Sequence, residues 1–289
     1  MSGATIITGG ASGMGEAAVR LLASRGQAVV FGDIQDDRAQ ALAAELGDGV
    51  VYLRSDVTQE SDVAALVDLA VDRFGTLGGM VNNAGIIGVV GPIDAITVED
   101  WDFTQMMLLR SVFLGMKHAS RVMKPVRRGA IVNTASIAAI RGGIGPHAYA
   151  AAKAGVVSLT RNGAAELGSY GIRVNAVAPG RMATPMVADT WAGDHNDIEA
   201  AKRAILPESP LADRVGTAED IAEAYAWLLS DHAGYISGQV ISVDGGFIGG
   251  SPPVAVAQAQ LARYAGDTTF IREGGKRGSG AATAGTDRP

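Results

Sequence analysis

Short runs of apolar residues alternate along the chain with longer amphipathic stretches. Seven of the runs are continuous and rich in valine and isoleucine, the pattern of strands that are buried on both faces of a sheet. These predicted strands are residues 5–8, 28–31, 50–53, 80–82, 130–134, 173–177 and 240–243.

The stretches between the strands repeat their apolar residues at helical spacing. The predicted helices are residues 15–24, 36–46, 61–74, 98–123, 148–169 and 218–230, and Thr58, Thr97 and Thr217 stand as capping residues before three of them. Strands joined by crossovers of more than about 10 residues form a parallel sheet that is covered by helices on both faces. The sequence therefore predicts one doubly wound α/β domain with a seven-stranded sheet over residues 1–248.

Two segments do not follow this alternation of strands and helices. Residues 184–216 carry Met186, Trp191 and three prolines between the sixth strand and the last helix, and we interpret them as an inserted lid or substrate loop. Residues 249–289 form a C-terminal tail whose end is poor in apolar residues, so we expect that end to be mobile.

Composition and charge exclude several classes of function. The chain has no cysteine, which rules out disulfides, iron–sulfur clusters and thiol catalysis, and its four histidines lack metal-ligand spacing, so we expect no metal. The net charge is −6 and no run of lysine or arginine occurs, which argues against a nucleic-acid partner. Residues 74–93 are uncharged but hold six glycines and a proline, and the first residues do not resemble a signal peptide. We expect a cytoplasmic protein without a membrane partner.

A glycine-rich turn follows the first strand, in the segment Thr8-Gly9-Gly10-Ala11-Ser12-Gly13-Met14-Gly15. Glycines between a strand and a helix let backbone N–H groups approach a diphosphate, and the start of the helix adds a partial positive charge. The turn therefore predicts a dinucleotide site, with an ordinary glycine-rich turn as the alternative.

Asp33 follows the second predicted strand, 18 residues beyond Gly15. An acid at this distance accepts hydrogen bonds from the adenosine ribose and repels a 2′-phosphate. No lysine or arginine occurs in residues 9–16 or 32–37 to bind that phosphate. We therefore predict NAD as the cofactor, although Asp33 can instead cap the helix that follows.

Further motifs complete a pattern that resembles the short-chain dehydrogenase/reductase superfamily in its common single-domain form. Besides Thr8-Gly9-x-x-x-Gly13-x-Gly15, the matching motifs are Asp56-Val57, Asn82-Asn83-Ala84-Gly85, Ser136 with Tyr149-x-x-x-Lys153, and Pro179-Gly180-x-x-x-Thr184. The resemblance covers residues 4–247 and implies a Rossmann-type fold, a nicotinamide cofactor and a homotetramer. It also implies that the cofactor is bound by Gly9, Ser12, Gly13, Met14, Gly15, Asp33, Ile34, Asp56, Val57, Asn83, Gly85, Tyr149, Lys153, Pro179, Gly180, Met182 and Thr184.

Three residues are the candidate catalytic set. Tyr149 and Lys153 are four apart in a predicted helix and point to one face, where the lysine ammonium favours the phenolate form of a tyrosine whose ordinary pKa is about 10. Tyr149 is then the general base, and the hydroxyl of Ser136, at the end of the fifth strand, hydrogen-bonds the substrate oxygen. Tyrosine and lysine on a helix surface are also common without any catalytic role.

One residue departs from the family pattern, because Leu108 stands where the family has an asparagine that helps to hold a relay water. His147 and Arg141 are polar candidates nearby. Residues that would surround the reacting carbon are mostly apolar: Ile86, Ile87, Ile137, Ile144, Met182, Met186 and Trp191.

These features predict an NAD-dependent oxidoreductase that interconverts a secondary alcohol and a ketone on a mostly apolar substrate, with cyclic and aromatic compounds as the candidates. Two alternatives remain open. One is an NADPH-dependent carbonyl reductase, and the other is a non-catalytic nucleotide-sensing regulator on the same fold.

Overall fold

The computed structural model describes residues 3–194, 196–211 and 213–249, except for the side chains of residues 191 and 192. Seven parallel strands form one sheet in the order β3-β2-β1-β4-β5-β6-β9. They are β1 (Ala4–Thr8), β2 (Val29–Asp33), β3 (Val50–Arg54), β4 (Leu77–Asn82), β5 (Gly129–Thr134), β6 (Ile172–Pro179) and β9 (Val240–Val243). The predicted α/β class and the seven-stranded sheet are confirmed.

Helices cover both faces of this sheet. The described helices are α1 (Gly13–Ser24), α2 (Asp36–Leu46), α3 (Glu60–Phe74), α4 (Val98–Gln105), α5 (Ser111–Val126), α6 (His147–Leu167), α7 (Pro185–Ala192), α8 (Ile198–Ile205) and α9 (Ala218–Leu229). One hydrophobic cluster packs α1, α2 and α9 against one face, and a second packs α3, α5 and α6 against the other. Strands β1, β2 and β4 are buried at every position, and apolar residues and glycine make up most of their sequences.

The order of the strands fixes the place of a ligand site. The chain moves outward from β1 through β2 to β3, then returns and moves the other way from β4 through β5 to β6. The carboxyl ends of β1 and β4 therefore flank a topological switch point, where open α/β sheets bind their ligands.

The predicted helix over residues 98–123 is wrong in one respect. It is interrupted by a π-helical turn, Met106–Arg110, which separates α4 from α5. The Thr97 hydroxyl accepts a hydrogen bond from the Asp100 backbone N–H at 3.1 Å, as its capping role predicts. The capping role of Thr58 is not found, since α3 begins after Gln59 and the Thr58 hydroxyl donates to the Asp56 carboxylate.

Residues 184–216 contain regular structure. They hold α7 and α8, and two short strands at their borders, β7 (Met182–Ala183) and β8 (Gly216–Thr217), pair in parallel. The compact unit that contains the sheet spans Met1–Gly250. The predicted tail lies outside the described residues from 250 onward. Within the described residues, no helix combines the length and the apolar character that a membrane span requires.

Candidate active site

The glycine-rich turn lies at the switch point, between β1 and the first residues of α1. Gly13 adopts a φ of +55°, which favours glycine, and a Cβ on Gly15 would collide with the carbonyl oxygen of Gly9. A Cβ on Gly9 would in turn lie 2.8 Å from the Cα of Ala84. The turn therefore packs tightly against its own backbone and the end of β4 at Gly9 and Gly15, where a side chain would not fit.

Side-chain hydrogen bonds join the turn to the end of β4. The Thr8 hydroxyl accepts from the backbone N–H groups of Asn83, at 3.0 Å, and Ala84, at 3.1 Å. The Asn83 amide donates to the carbonyl oxygens of Thr8, at 3.0 Å, and Gly9, at 3.1 Å. These bonds satisfy the polar backbone where the two strands end, and they fix the shape of the turn.

A cleft of about 320 Å³ opens beside the turn. Eleven of the residues predicted to bind the cofactor line it: Gly9, Ser12, Gly13, Met14, Asp33, Ile34, Asp56, Val57, Asn83, Gly85 and Thr184. Five further lining residues were not among those predicted to bind the cofactor: Gln35, Ser55, Ala84, Met107 and Pro185. Ile86 and Met186, predicted to surround the substrate, also line this cleft.

Other predicted residues lie elsewhere. Met182 packs in the cluster of α1 and α9 and borders a separate cavity of about 80 Å³, so its predicted cofactor contact is not part of the cleft. Pro179 ends β6, and Gly180 follows it where a Cβ would lie 2.8 Å from the Cα of Asp244. The side chain of Trp191 lies outside the described residues.

Asp33 is held at the edge of the cleft by three backbone N–H groups. Oδ2 accepts from Ala11 at 2.9 Å, and Oδ1 accepts from Ile34 at 2.8 Å and Gln35 at 3.0 Å. These donors orient the carboxylate. The alternative role as a helix cap is not found, because α2 begins after Gln35 and has no side-chain cap.

Ser136, Tyr149 and Lys153 come together beyond the carboxyl end of β5. Ser136 accepts from the Ala138 N–H at 3.1 Å, in a short 3₁₀ turn, and its hydroxyl also hydrogen-bonds Tyr149. Lys153 projects from α6, and its Nζ lies 5.7 Å from the centre of the Tyr149 ring. The Lys153 ammonium donates to the Thr134 carbonyl oxygen at 2.7 Å. The spacing Tyr-x-x-x-Lys thus places both side chains on the helix face that meets β5.

Burial shifts the two titratable groups of this set in opposite directions. It raises the pKa of Tyr149, an effect that the hydrogen bond from Ser136 only partly offsets. It lowers the pKa of Lys153 to about 8. The expectation that Lys153 lowers the tyrosine pKa is therefore not met by the protein's own groups, because desolvation is the larger effect.

Leu108 lies fully buried in the π-helical turn. A Cβ on Gly85 would lie 3.2 Å from Leu108 Cδ2 and 3.8 Å from Lys153 Nζ, so Gly85 lies between the leucine and the lysine. His147 and Arg141 are exposed, and the Arg141 guanidinium lies 5.6 Å from the centre of the Phe247 ring. An apolar side chain therefore faces the region of Lys153 where the family pattern has an amide.

Comparisons with known proteins agree with this geometry. A family model described as enoyl-(acyl carrier protein) reductase matches residues 9–248. Momilactone A synthase of Oryza sativa subsp. japonica is 46% identical, over 83% of this chain and 88% of that protein. Cis-4-hydroxycyclohexanecarboxylate dehydrogenase of Sinomonas cyclohexanicum is 44% identical, over 84% and 95%. The crystal structure of levodione reductase superposes with a TM-score of 0.79 at 38% identity, over 86% of this chain and 98% of that one.

Proposed function

Because the chain belongs to the short-chain dehydrogenase/reductase superfamily, we propose that it is an NAD-dependent oxidoreductase that interconverts a secondary alcohol and a ketone on an apolar, cyclic substrate. The observation that carries the proposal is the meeting of Ser136, Tyr149 and Lys153 beside a glycine-lined cleft. The same meeting argues against a non-catalytic regulator, which has no need of a tyrosine–lysine pair.

The residues of the cleft fit a dinucleotide. Side chains are excluded from the turn at Gly9 and Gly15, as close approach of a diphosphate to the backbone requires, and Asp33 offers oxygens to a ribose. When bound, the nicotinamide group accepts a hydride from the alcohol carbon or returns one to the ketone.

The chain's own residues handle the proton and the oxygen. In the oxidation direction, Tyr149 removes the proton of the alcohol hydroxyl, and in the reduction direction it returns a proton to the ketone oxygen. Ser136 donates a hydrogen bond to that oxygen and so orients it beside Tyr149. Lys153 holds the nicotinamide ribose, as the resemblance implies, and its buried ammonium stabilises negative charge that develops on the phenol.

Selectivity for NAD is supported by the setting of Asp33. Its carboxylate is oriented by three backbone N–H groups, and no lysine or arginine is among the residues that line the cleft. The guanidinium of Arg54, at the end of β3, pairs with the Asp36 carboxylate and donates a hydrogen bond to the Ile34 carbonyl oxygen. A 2′-phosphate would meet a like charge and leave the carboxylate without its ribose partner, which costs about 100-fold or more in kcat/KM.

The cofactor assignment is tested by measuring kcat/KM with NAD and with NADP. We expect NAD to be preferred by at least about 100-fold, and Asp33→Ala to narrow the preference because it removes the repulsion. Equal values for the wild-type enzyme would contradict the assignment. A preference for NADP would favour the alternative of an NADPH-dependent carbonyl reductase.

The substrate class is supported by the relatives and by the lining. The names (+)-borneol dehydrogenase 2 and cis-4-hydroxycyclohexanecarboxylate dehydrogenase denote oxidation of cyclic alcohols, and levodione reductase denotes reduction of a cyclic ketone. Ile86, Met107 and Met186 give the cleft an apolar wall. A panel of cyclic, aromatic and open-chain secondary alcohols, followed by NADH absorbance, tests the class. Turnover of open-chain alcohols alone would contradict it.

We also propose a homotetramer. Several apolar residues of the long helices reach the surface: Phe113 is 47% exposed, and Met106, Leu109 and Leu159 border an open groove between the α4–α5 region and α6. Such a face is buried when a second copy packs on it. Other apolar residues of these helices, such as Val112 and Val156, lie in the core and contribute nothing to an interface. Light scattering at micromolar concentration tests the proposal, and a monomer would contradict it.

A further inference from the structure

The helix α9 buries a tyrosine that the chemistry above does not use. Tyr225 is completely inaccessible to solvent, and its neighbours on the buried face of α9 include Ile221, Ala222 and Leu229. Burying a phenol among aliphatic side chains is costly unless its hydroxyl finds partners. The partners of Tyr225 therefore indicate what the residue does.

The Tyr225 hydroxyl bridges the ends of two neighbouring strands. Its oxygen lies 2.7 Å from the hydroxyl of Thr134, the last residue of β5, and it donates to Oδ1 of Asn83, directly after β4, at 3.3 Å. Since β4 and β5 are adjacent in the sheet, a single hydroxyl joins their carboxyl ends from the α9 side.

Each partner holds a different half of the site. Asn83 donates through its amide to the carbonyl oxygens of Thr8 and Gly9, where the glycine-rich turn begins. The backbone carbonyl oxygen of Thr134 accepts a hydrogen bond from the Lys153 ammonium at 2.7 Å. The Tyr225 hydroxyl thus stands between the turn that faces the diphosphate and the lysine assigned to the nicotinamide ribose.

We propose that Tyr225 is a positioning residue whose hydroxyl fixes the glycine-rich turn relative to Lys153, so that one dinucleotide can reach both. The proposal rests on the proposed function, since it concerns how the two halves of one cofactor are held in register. Burial also raises the pKa of Tyr225, which keeps the hydroxyl protonated and able to donate.

The test compares a whole cofactor with half of one. Tyr225→Phe removes only the hydroxyl and leaves Oδ1 of Asn83 without the hydrogen bond that Tyr225 donates. NAD should contact both the turn and Lys153, whereas ADP lacks the nicotinamide ribose and should contact the turn but not Lys153. We expect the dissociation constant of NAD to rise about 10-fold and that of ADP to rise less than about 3-fold, as measured by calorimetry. We also expect kcat to fall, because Lys153 and the ring are misaligned.

Two further variants sharpen the test. Thr134→Val removes the other hydroxyl of the bridge and keeps the carbonyl that binds Lys153, so the double variant with Tyr225→Phe should lose less NAD affinity than the sum of the two single variants. Tyr170→Phe, at a partly exposed tyrosine outside the site, serves as the matched control and should leave both affinities unchanged.

The outcomes separate the positioning role from a packing role. If Tyr225→Phe lowers the midpoint of thermal unfolding while NAD affinity, ADP affinity and kcat stay at wild-type values, Tyr225 is only a core residue and the proposal is overturned. An equal loss for NAD and ADP would also overturn it, because the hydroxyl would then shape the turn alone. If the wild-type protein bound neither NAD nor NADP, the proposed function itself would fail.

Discussion

The two halves of the site are prepared for their task in different ways. On the adenosine side, backbone N–H groups orient Asp33, and Asn83 and Thr8 hold the turn, so most polar groups already have protein partners. On the catalytic side, burial opposes the charged forms of both Tyr149 and Lys153. On the adenosine side the polar groups are already oriented by protein hydrogen bonds. On the catalytic side the charge states of Tyr149 and Lys153 depend on what binds beside them.

Tyr149→Phe should produce the largest effect, and it tests the catalytic half alone. The ring still packs beside Lys153, but the group that transfers the proton is lost, so we expect kcat to fall by at least about 100-fold while NAD binding changes little. Ser136→Ala should lose about 100-fold through the missing bond to the reacting oxygen. Steady-state kinetics and calorimetry give the two quantities. A Tyr149→Phe enzyme with more than a tenth of the wild-type rate would show that another residue is the base.

Gly15→Ala tests the adenosine half. The added Cβ collides with the Gly9 carbonyl oxygen, so the turn must move away from the position that Asn83 gives it. We expect NAD affinity to fall by about 100-fold, as a displaced turn loses several backbone contacts. Gly49→Ala is the matched control, because a Cβ there meets no atom within 4 Å. Unchanged NAD affinity in Gly15→Ala would mean that the turn does not bind the diphosphate.

The pH dependence of stability tests whether burial governs the catalytic half. Lys153 has a pKa of about 8 in the folded protein and an ordinary value of 10.5, so below pH 8 the folded state carries a buried charge at full cost. Between pH 8 and 10.5 the unfolded chain binds more protons, and stability rises with pH by about 3 kcal/mol from this group.

Comparison with Lys153→Met isolates that contribution. The variant should be the more stable protein near pH 7, and its advantage in the free energy of unfolding should shrink as the pH approaches 10. Urea titrations of both proteins from pH 7 to 10 give the difference in the free energy of unfolding. Lys202→Met, on the surface of α8, is the control. If the difference in the free energy of unfolding between Lys153→Met and the wild-type protein does not change with pH, the Lys153 ammonium is solvated.

Sequence reasoning recovers the adenosine half better than the catalytic half, for a physical reason. Strand, turn and helix follow one another locally there, so the spacing from Gly9 to Asp33 already determines which groups meet. Ser136, Tyr149 and Lys153 also lie within one short segment, so their meeting can be predicted, but the balance between burial and charge at Tyr149 depends on the whole fold. The role of Tyr225 shows the same limit, because nothing in its own helix indicates that its hydroxyl reaches Asn83 and Thr134.

The pattern of apolar residues also did not predict the π-helical turn. Residues 98–123 keep a helical periodicity, yet the structure inserts a wider turn where Leu108 packs beside Gly85 and Lys153. Turns of this kind are frequent at functional sites. The leucine keeps the backbone carbonyl of that position but supplies no side-chain partner for a water or for the lysine.

Leu108→Asn should have the smallest effect. It tests whether the apolar Leu108 side chain near Lys153 limits proton transfer in the catalytic half. An amide at this position gives the region of Lys153 a polar group, so we expect kcat at low pH to rise by about 2- to 5-fold and the solvent isotope effect on kcat to decrease. Leu109→Asn is the control, since it places the same amide in the same turn but at a half-buried position that faces Gly155 on α6. If Leu108→Asn leaves the pH profile and the isotope effect at wild-type values, Leu108 serves packing alone. Protons then leave Tyr149 by a route that does not pass this turn, and the exposed His147, two residues away, is the next residue to substitute.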